Sequence, residues 1–387
     1  MIQRVLTKKL IEISNYYSVL TITGPRQSGK TTLIKSVFKD LPYISLENPD
    51  SKKRAEDDPK GFLNNYPKGV ILDEVQNAPE LFSYIQGIVD DNQHIKFILS
   101  GSQNFLLLDK INQTLAGRTA VLKLLPLSLN ELKNTKYWSN NVYTLIYNGM
   151  YPRIYDRQIP ANVFYANYIQ TYIERDVRSI KNIGNLTNFS RFVSLCAGRI
   201  GQILNLDAIA SDVGIATNTA KEWISILEAS YIIHLLKPHH KNFNKRLVKR
   251  PKLYFYDTGL ACNLLQINDE KQLDIHFAKG NLFENFIINN LLKSRFNTAN
   301  TSNLYFWRDK HGKEIDCIIE KANSLIPVEI KSSSTYQKEH FKNMNYWNKL
   351  AENSNENSYL VYAGNEDDTL PYGNLISWKN LDKISLE

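Results

Sequence analysis

The chain has 387 residues, enough for two or three domains, and 43% hydrophobic against 22% charged residues is a globular rather than a disordered composition. A net charge of +8 permits nucleic acid or an acidic surface as partner without requiring either. Three scattered cysteines argue against a disulfide framework or a zinc ribbon, no apolar run reaches the ~18 residues of a membrane span, and the N-terminus lacks a signal-peptide core, so the expectation is a reduced, cytoplasmic protein with no membrane partner.

Residues 18–23 predict a buried strand and 31–38 a helix. Between them Gly24-Pro25-Arg26-Gln27-Ser28-Gly29-Lys30-Thr31 matches the P-loop pattern G-x-x-x-x-G-K-[ST] in full. The two glycines let the backbone wrap around an anion, so that successive N–H groups and the helix N-terminus, where Thr32 follows, face a phosphate. Lys30 is expected to reach the β- and γ-phosphates and the Thr31 hydroxyl to ligate Mg2+, which makes ATP and Mg2+ the expected cofactors. Residues 43–46 predict another strand. The run 68–72 predicts a further one, ending in Asp73-Glu74; Asp73 is assigned to the metal and Glu74 to polarising the attacking water. Strand 95–100 ends in Gly101-Ser102-Gln103-Asn104, where a small polar residue, Ser102 ahead of Asn104, is a candidate to sense the γ-phosphate from between the two motifs. Strands alternating with helices predict a parallel, helix-covered sheet with ATP at the carboxyl ends of its strands.

Arg118 follows Leu115-Ala116-Gly117 and precedes an apolar strand predicted at 120–127. It is either an arginine finger, in cis or on a neighbouring subunit of a homo-oligomer, or a surface cation at a helix C-terminus. With this residue the chain resembles the prokaryotic AAA-superfamily ATPases that carry a C-terminal domain of unknown function. The residues that carry the resemblance are Gly24 to Thr32, Leu72-Asp73-Glu74-Val75-Gln76, Leu99-Ser100-Gly101-Ser102 and Leu115-Ala116-Gly117-Arg118, with Gly149-Met150-Tyr151-Pro152 and Tyr172-Ile173-Glu174-Arg175-Asp176-Val177 further on. The resemblance implies an ATP-binding module.

Residues 203–227 have the shape of a helix-turn-helix, the first helix closing at Gly214 and Thr217 capping the second. Ala220, Trp223, Ile224 and Leu227 make its apolar stripe, which leaves Asn218, Thr219, Lys221, Glu222 and Ser225 to face DNA or solvent. Lys237, Lys241, Lys245, Arg246, Lys249, Arg250 and Lys252 then follow without an intervening acid, interleaved with His239, His240 and Phe243. Such a run binds phosphates in a salt-dependent way and fits the basic wing of a winged helix; the bland alternative is a solvated loop on a lid.

In the last third, 280–292 predicts an amphipathic helix carrying Glu284, and strands are expected at 304–308, 314–319, 325–331 and 358–363. The order Asp316, Glu329, Lys331 resembles the PD-(D/E)XK nuclease core. Glu329 and Lys331 share a strand face, and Asp316 on the neighbouring strand joins them. Glu284, Asp316 and Glu329 are the expected Mg2+ ligands and Lys331 the residue that orients water or stabilises charge. The expected fold is α/β: a P-loop NTPase parallel sheet over 1–135, a helical lid and winged-helix-like module over 136–265, and a restriction-endonuclease-like α/β domain over 266–387. The expected function is an ATP hydrolase coupled to DNA binding and metal-dependent cleavage. The alternative is a nucleotide-dependent regulator or scaffold that binds protein partners.

Overall fold

The computed structural model describes residues 2–102, 114–177, 185–239, 248–384 and 386, with the backbone alone at 174–177. Its contacts divide the chain into two units. Unit 1 holds Met1–Leu127, Ala229–Tyr231 and Phe296–Asn300; unit 2 holds Ser128–Glu228, Ile232–Arg295 and Thr301–Glu387. Apart from Ala229–Tyr231 and Phe296–Asn300, the residues of the expected helical module and of the expected C-terminal domain fall together in unit 2.

In unit 1, the short aliphatic strands at 19–23, 69–73 and 96–101 bury both of their faces, which is the mark of a parallel sheet covered on two sides. Strands β1 (Val19–Thr23), β2 (Tyr43–Ser45), β3 (Gly69–Asp73), β4 (Lys96–Gly101) and β5 (Thr119–Lys123) are all parallel, in the order β2-β3-β4-β1-β5. Alternate side chains serve opposite cores. Val19, Val70, Leu72, Phe97 and Leu99 pack with Phe62, Phe82 and Ile85. Leu20, Ile22, Ile71 and Ile98 pack with Leu6 and Leu10 of helix α1 (Leu6–Ser14) and with Leu33 and Ile34 of helix α2 (Lys30–Val37). Since β4 lies between β1 and β3, its end brings Gly101 and Ser102 between the P-loop and Asp73-Glu74. The last strand stops at Lys123, short of the expected 127, because Pro126 has no N–H for a ladder and the Leu125 carbonyl accepts from Arg4.

Unit 2 contains the two expected helices, Leu206–Val213 and Thr217–Ala229, joined at Gly214, whose φ of 82° is the left-handed conformation glycine adopts freely. Thr217 does not act as a cap: it is the first helical residue and gives its hydroxyl to Asp207 at 2.9 Å. An antiparallel pair follows, β6 (Ile233–Leu236) with β7 (Lys252–Phe255). Helix Lys279–Asn297 then leads into a mixed six-stranded sheet of β8 (Leu304–Arg308), β9 (Glu314–Glu320), β10 (Leu325–Lys331), β11 (Tyr359–Tyr362), β12 (Asp368–Leu370) and β13 (Gly373–Ser377), in the order β12-β13-β11-β10-β9-β8. Trp307, Ile315, Ile318, Phe341, Met344, Trp347 and Leu360 form its core.

The helix Lys279–Asn297 departs from the expected amphipathic pattern, because its polar side is buried along with its apolar one. Asn285 pairs with the backbone of Phe255 through both its oxygen and its nitrogen at 2.8 Å, and Asn289 donates to the Phe255 carbonyl. The asparagines take the place of a neighbouring strand for β7, so a polar face that reads as solvated is a packing face.

Candidate functional site

The P-loop turn is built on Gly24, where a β-carbon would stand 2.1 Å from the Leu124 carbonyl oxygen at a φ of +151°. The Arg4 guanidinium braces the loop from behind, donating to the Ser28 and Leu125 carbonyls at 2.7 Å each. Arg26 pairs with Glu47 at the surface, while Gln27, at a φ of 64°, and Ser28 each keep a buried side-chain oxygen without a partner. Lys30 is buried and points its ammonium at the Gly24 and Pro25 carbonyls, 2.9 Å from each. Burial pulls its pKa below the ordinary lysine range, against the opposing pull of Glu74 and Asp73. Thr31 is half-buried and Thr32 exposed.

Asp73 collects four donors. The hydroxyls of Thr31 and Tyr43 lie 2.7 and 2.8 Å from its Oδ2, while the Ser100 hydroxyl and the Glu74 N–H reach Oδ1. Burial first, and the Asp73 charge second, push the Tyr43 phenol up, so it stays a donor. Glu74 adopts the left-handed conformation, φ 52° and ψ 47°. Its Oε2 accepts from the Ser102 N–H at 3.1 Å, the Ser102 hydroxyl at 3.0 Å and the Gln76 amide. The structure therefore brings Lys30, Thr31, Asp73, Glu74 and Ser102 to the adjoining ends of β1, β4 and β3. It does not bring Arg118 there: that guanidinium is engaged by both carboxylate oxygens of Asp90, at 2.6 and 2.9 Å. Asn104 lies outside the described residues. Arg4 and Tyr43 carried no signal of a role in the sequence; Ser100 and Gln76 stood in motifs that carry the resemblance, with no role assigned to them.

Unit 2 holds an acidic centre. Lys331 lies 2.8 Å from Glu329 and 3.4 Å from Asp316, and the Ile330 N–H donates to Asp316 at 2.8 Å. Burial and then the adjacent Asp316 push the Glu329 carboxyl well above the usual carboxylate range. Burial acts on Asp316 in the same sense, but Lys331 and Lys252 outweigh it and hold its pKa low. Glu329 Oε1 is buried without a hydrogen-bond partner. Asp316, Glu329 and Lys331 thus converge on adjacent strands.

Glu284 does not join them as a third ligand. Its carboxylate accepts from Lys252 at 2.8 Å and from the Tyr254 hydroxyl, and Lys252 also contacts Glu314. Among the described residues no three His, Cys, Asp or Glu side chains are grouped to hold a metal. Lys252 is likewise not a solvated DNA-facing cation. It is 2% exposed, and although burial by itself would lower its pKa, Glu284, Tyr254, Asp316 and Glu314 reverse the sign and hold it well above the ordinary range. Lys237, Lys249 and Arg250 are exposed as expected. Lys241, Lys245, Arg246, His240 and Phe243 lie outside the described residues, as do the side chains of Glu174, Arg175, Asp176 and Val177.

Residues 16–133 match the AAA domain family. Unit 1 carries an AAA-type, P-loop ATPase-like domain. Residues 139–271 match a domain of unknown function, DUF8612, and 279–381 match another, DUF4143. An uncharacterized protein of Mycobacterium tuberculosis, and its counterpart in Mycobacterium bovis, are each 28% identical over 324 residues, which cover 82% of this chain and 71% of theirs. An uncharacterized protein of Haemophilus influenzae is 20% identical over 353 residues, 84% of either chain. Among solved structures, a Walker-type ATPase of Pyrococcus abyssi aligns with a TM-score of 0.48 and 15% identity over 68% of this chain and 96% of its own. Among the described residues no helix is long and apolar enough to cross a membrane.

Proposed function

We propose that unit 1 binds ATP with Mg2+ and hydrolyses it. The observation that carries this reading is the approach of the Thr31 hydroxyl to Asp73 Oδ2, 2.7 Å apart, with Lys30 and Glu74 beside them. A hydroxyl and a carboxylate oxygen side by side are the donors a hard cation takes, so the residues present fit one: Thr31 and Asp73 would hold it. When bound, Mg2+ neutralises charge on the β- and γ-phosphate oxygens. Lys30 exchanges its two carbonyl partners for phosphate oxygens. Glu74 takes a proton from water as the water oxygen bonds to the γ-phosphorus; the bond from that phosphorus to the bridging oxygen breaks, and ADP leaves with the electron pair. The proton then passes to solvent, so ATP and water become ADP and phosphate. Ser102 holds the Glu74 carboxylate in place, and Arg118 acts as a finger only by leaving Asp90.

The test compares nucleotide binding with turnover. Lys30→Ala loses affinity for ATP at least tenfold. Glu74→Gln binds ATP within twofold of the parent and turns over at least 100-fold more slowly, the usual size of a general-base contribution of about 10²–10⁴. Undiminished turnover in Glu74→Gln would remove the residue from the mechanism.

A second reading is favoured by one observation in unit 2, the convergence of Lys331 with Asp316 and Glu329. Under it unit 2 cleaves a phosphodiester bond of nucleic acid. Asp316 and Glu329, whose Oε1 is buried without a partner, would hold Mg2+, and the ion supplies an activated water. Lys331 orients that water, and Lys237, Lys249 and Arg250 are the described exposed cations for a phosphate backbone. Mg2+-dependent cleavage of DNA or RNA by the parent chain, lost in Lys331→Ala, is its test.

A further inference from the structure

The N–H groups of Gly29, Lys30, Thr31 and Thr32 open helix α2, and among the described residues no backbone carbonyl accepts from any of them. The ladder of the helix begins with Leu33 N–H on the Gly29 carbonyl at 2.9 Å. One more bond would carry Thr32 N–H to the carbonyl four residues back, that of Ser28. The Ser28 carbonyl goes to Arg4 Nη1 instead, at 2.7 Å. Arg4 thus holds that carbonyl out of the ladder, and the donors stay open to an anion.

The same contact sets a direction. Among the described residues every peptide bond is trans, and in a planar trans peptide the carbonyl of one residue and the N–H of the next point opposite ways. With the Ser28 carbonyl turned to Arg4, the Gly29 N–H is turned away from it. The backbone on either side is left-handed, φ 64° at Gln27 and 94° at Gly29, and a glutamine does not hold that conformation by its own preference. Arg4 is itself well anchored. It is buried, and its carbonyl accepts from Thr7 N–H at 3.2 Å at the start of α1. Its Nη2 reaches the Leu125 carbonyl at 2.7 Å. The neighbouring Leu124 is bonded through its N–H to the Thr23 carbonyl at 2.8 Å. The two arms of the fork therefore join the loop to the chain that runs on from β5.

We propose that Arg4 is a positioning residue for the phosphates of a nucleoside di- or triphosphate: by gripping the Ser28–Gly29 peptide it presents the N–H groups of residues 29–32 to the α- and β-phosphates. The inference rests on the reading of unit 1 as an ATP-binding hydrolase. Both arms of the guanidinium are spent on carbonyls, so it acts through the loop. Loop N–H groups meet the α- and β-phosphates, which ATP and ADP share, whereas Lys30 reaches on to the γ-phosphate. Weakening the loop removes binding that ground state and transition state have in common, which raises KM and spares kcat.

The experiment measures affinity for ATP and for ADP by titration calorimetry, kcat and KM for ATP, and melting temperature without nucleotide, in the parent, Arg4→Gln, Arg4→Lys and Lys30→Ala. Arg4→Gln is expected to raise KM and both dissociation constants at least tenfold, ATP and ADP by similar factors, and to lower kcat less than threefold. Arg4→Lys keeps the charge but offers one ammonium in place of a fork that spans two carbonyls. It is expected to weaken both nucleotides at least threefold with the melting temperature within a few degrees of the parent. Lys30→Ala tests the reading of unit 1 in the same assay. A parent that binds neither nucleotide, or a Lys30→Ala that binds ATP as the parent does, overturns that reading and the role of Arg4 with it. Weak binding in Lys30→Ala, with both Arg4 variants within twofold of the parent for ATP and ADP, overturns the role of Arg4 alone. Parallel loss of kcat, affinity and melting temperature in both Arg4 variants reduces the residue to a general brace of the fold and overturns the proposal as well.

Discussion

Asp73 and Glu74 are adjacent, and in an uninterrupted strand their side chains would face opposite sides of the sheet. The left-handed backbone at Glu74, φ 52°, breaks that alternation and lets both carboxylates serve one strand end. A non-glycine residue in this conformation costs on the order of 1–3 kcal/mol, which the turn Val75–Asn77 and the three bonds to the carboxylate oppose. A second residue sets a pH dependence. The His234 ring is buried beside Tyr254 and Tyr256, with Nε2 2.9 Å from Asn289 Oδ1. Burial, only partly opposed by the Asn289 bond, takes its pKa from 6.5 down to about 4. The folded chain thus binds this proton more weakly than the unfolded one, and unfolding takes up a proton between those two values. The His234 contribution is complete above pH 6.5 and is lost as pH falls, by up to about 3 kcal/mol at pH 4. Urea titrations at pH 7, 6 and 5 check this: the fall in midpoint on acidification should be shallower in His234→Gln, which keeps a donor to Asn289. Equal slopes in parent and variant would assign the pH dependence to other groups.

At the scale of elements, local pattern was legible and partnership was not. Strands β1, β3, β4 and β8 to β11 are short apolar runs bounded by turns or charges, and the P-loop announces its own strand and helix, so their positions follow from nearby residues alone. The polar face of Lys279–Asn297 and the last cation of the basic run were misread because their partners are distant in sequence. Asn285 is 30 residues from Phe255, and Lys252 is 32 from Glu284. A lysine that ends a basic run reads as a phosphate ligand; only folding shows it to be the first residue of β7, closed in by Glu284 and Glu314. This placement makes a prediction that the phosphate reading does not. Lys252→Met leaves the nearly buried Glu284 carboxylate without its cation, while Glu314 keeps Arg308 at 3.0 Å, and is expected to cost about 3–5 kcal/mol in urea unfolding. Adding Glu284→Gln removes the stranded charge, so the double variant should be more stable than the sum of the two single losses implies. Unchanged stability in Lys252→Met, combined with a shallower salt dependence of DNA affinity, would return Lys252 to the nucleic-acid face.

For the whole molecule, the two proposed chemistries draw on separate residues. Lys30, Thr31, Asp73 and Glu74 all belong to unit 1, while Asp316, Glu329 and Lys331 all belong to unit 2. Each set is positioned by its own unit's hydrogen bonds: Asp73 and Glu74 by Tyr43, Ser100 and Ser102, and Asp316 by the Ile330 N–H and Lys331. Each also sits over its own core, the two faces of the parallel sheet in one case and the Trp307–Trp347 cluster in the other. A residue that supplies only one reacting centre should therefore be removable without dismantling the other. Lys30→Ala is expected to abolish ATP turnover and to retain Mg2+-dependent cleavage measured without ATP. Lys331→Ala is expected to do the reverse, keeping kcat for ATP within twofold while losing cleavage. Plasmid, linear duplex, single-stranded DNA and RNA, each incubated with Mg2+ or EDTA and with or without ATP, provide the readout for parent and variants. Absence of cleavage by the parent on every form, with ATP turnover intact, would leave Asp316, Glu329 and Lys331 as an internal ion-pair network and unit 1 as the sole reacting centre. Loss of both activities in either variant would show instead that the two residue sets act as one.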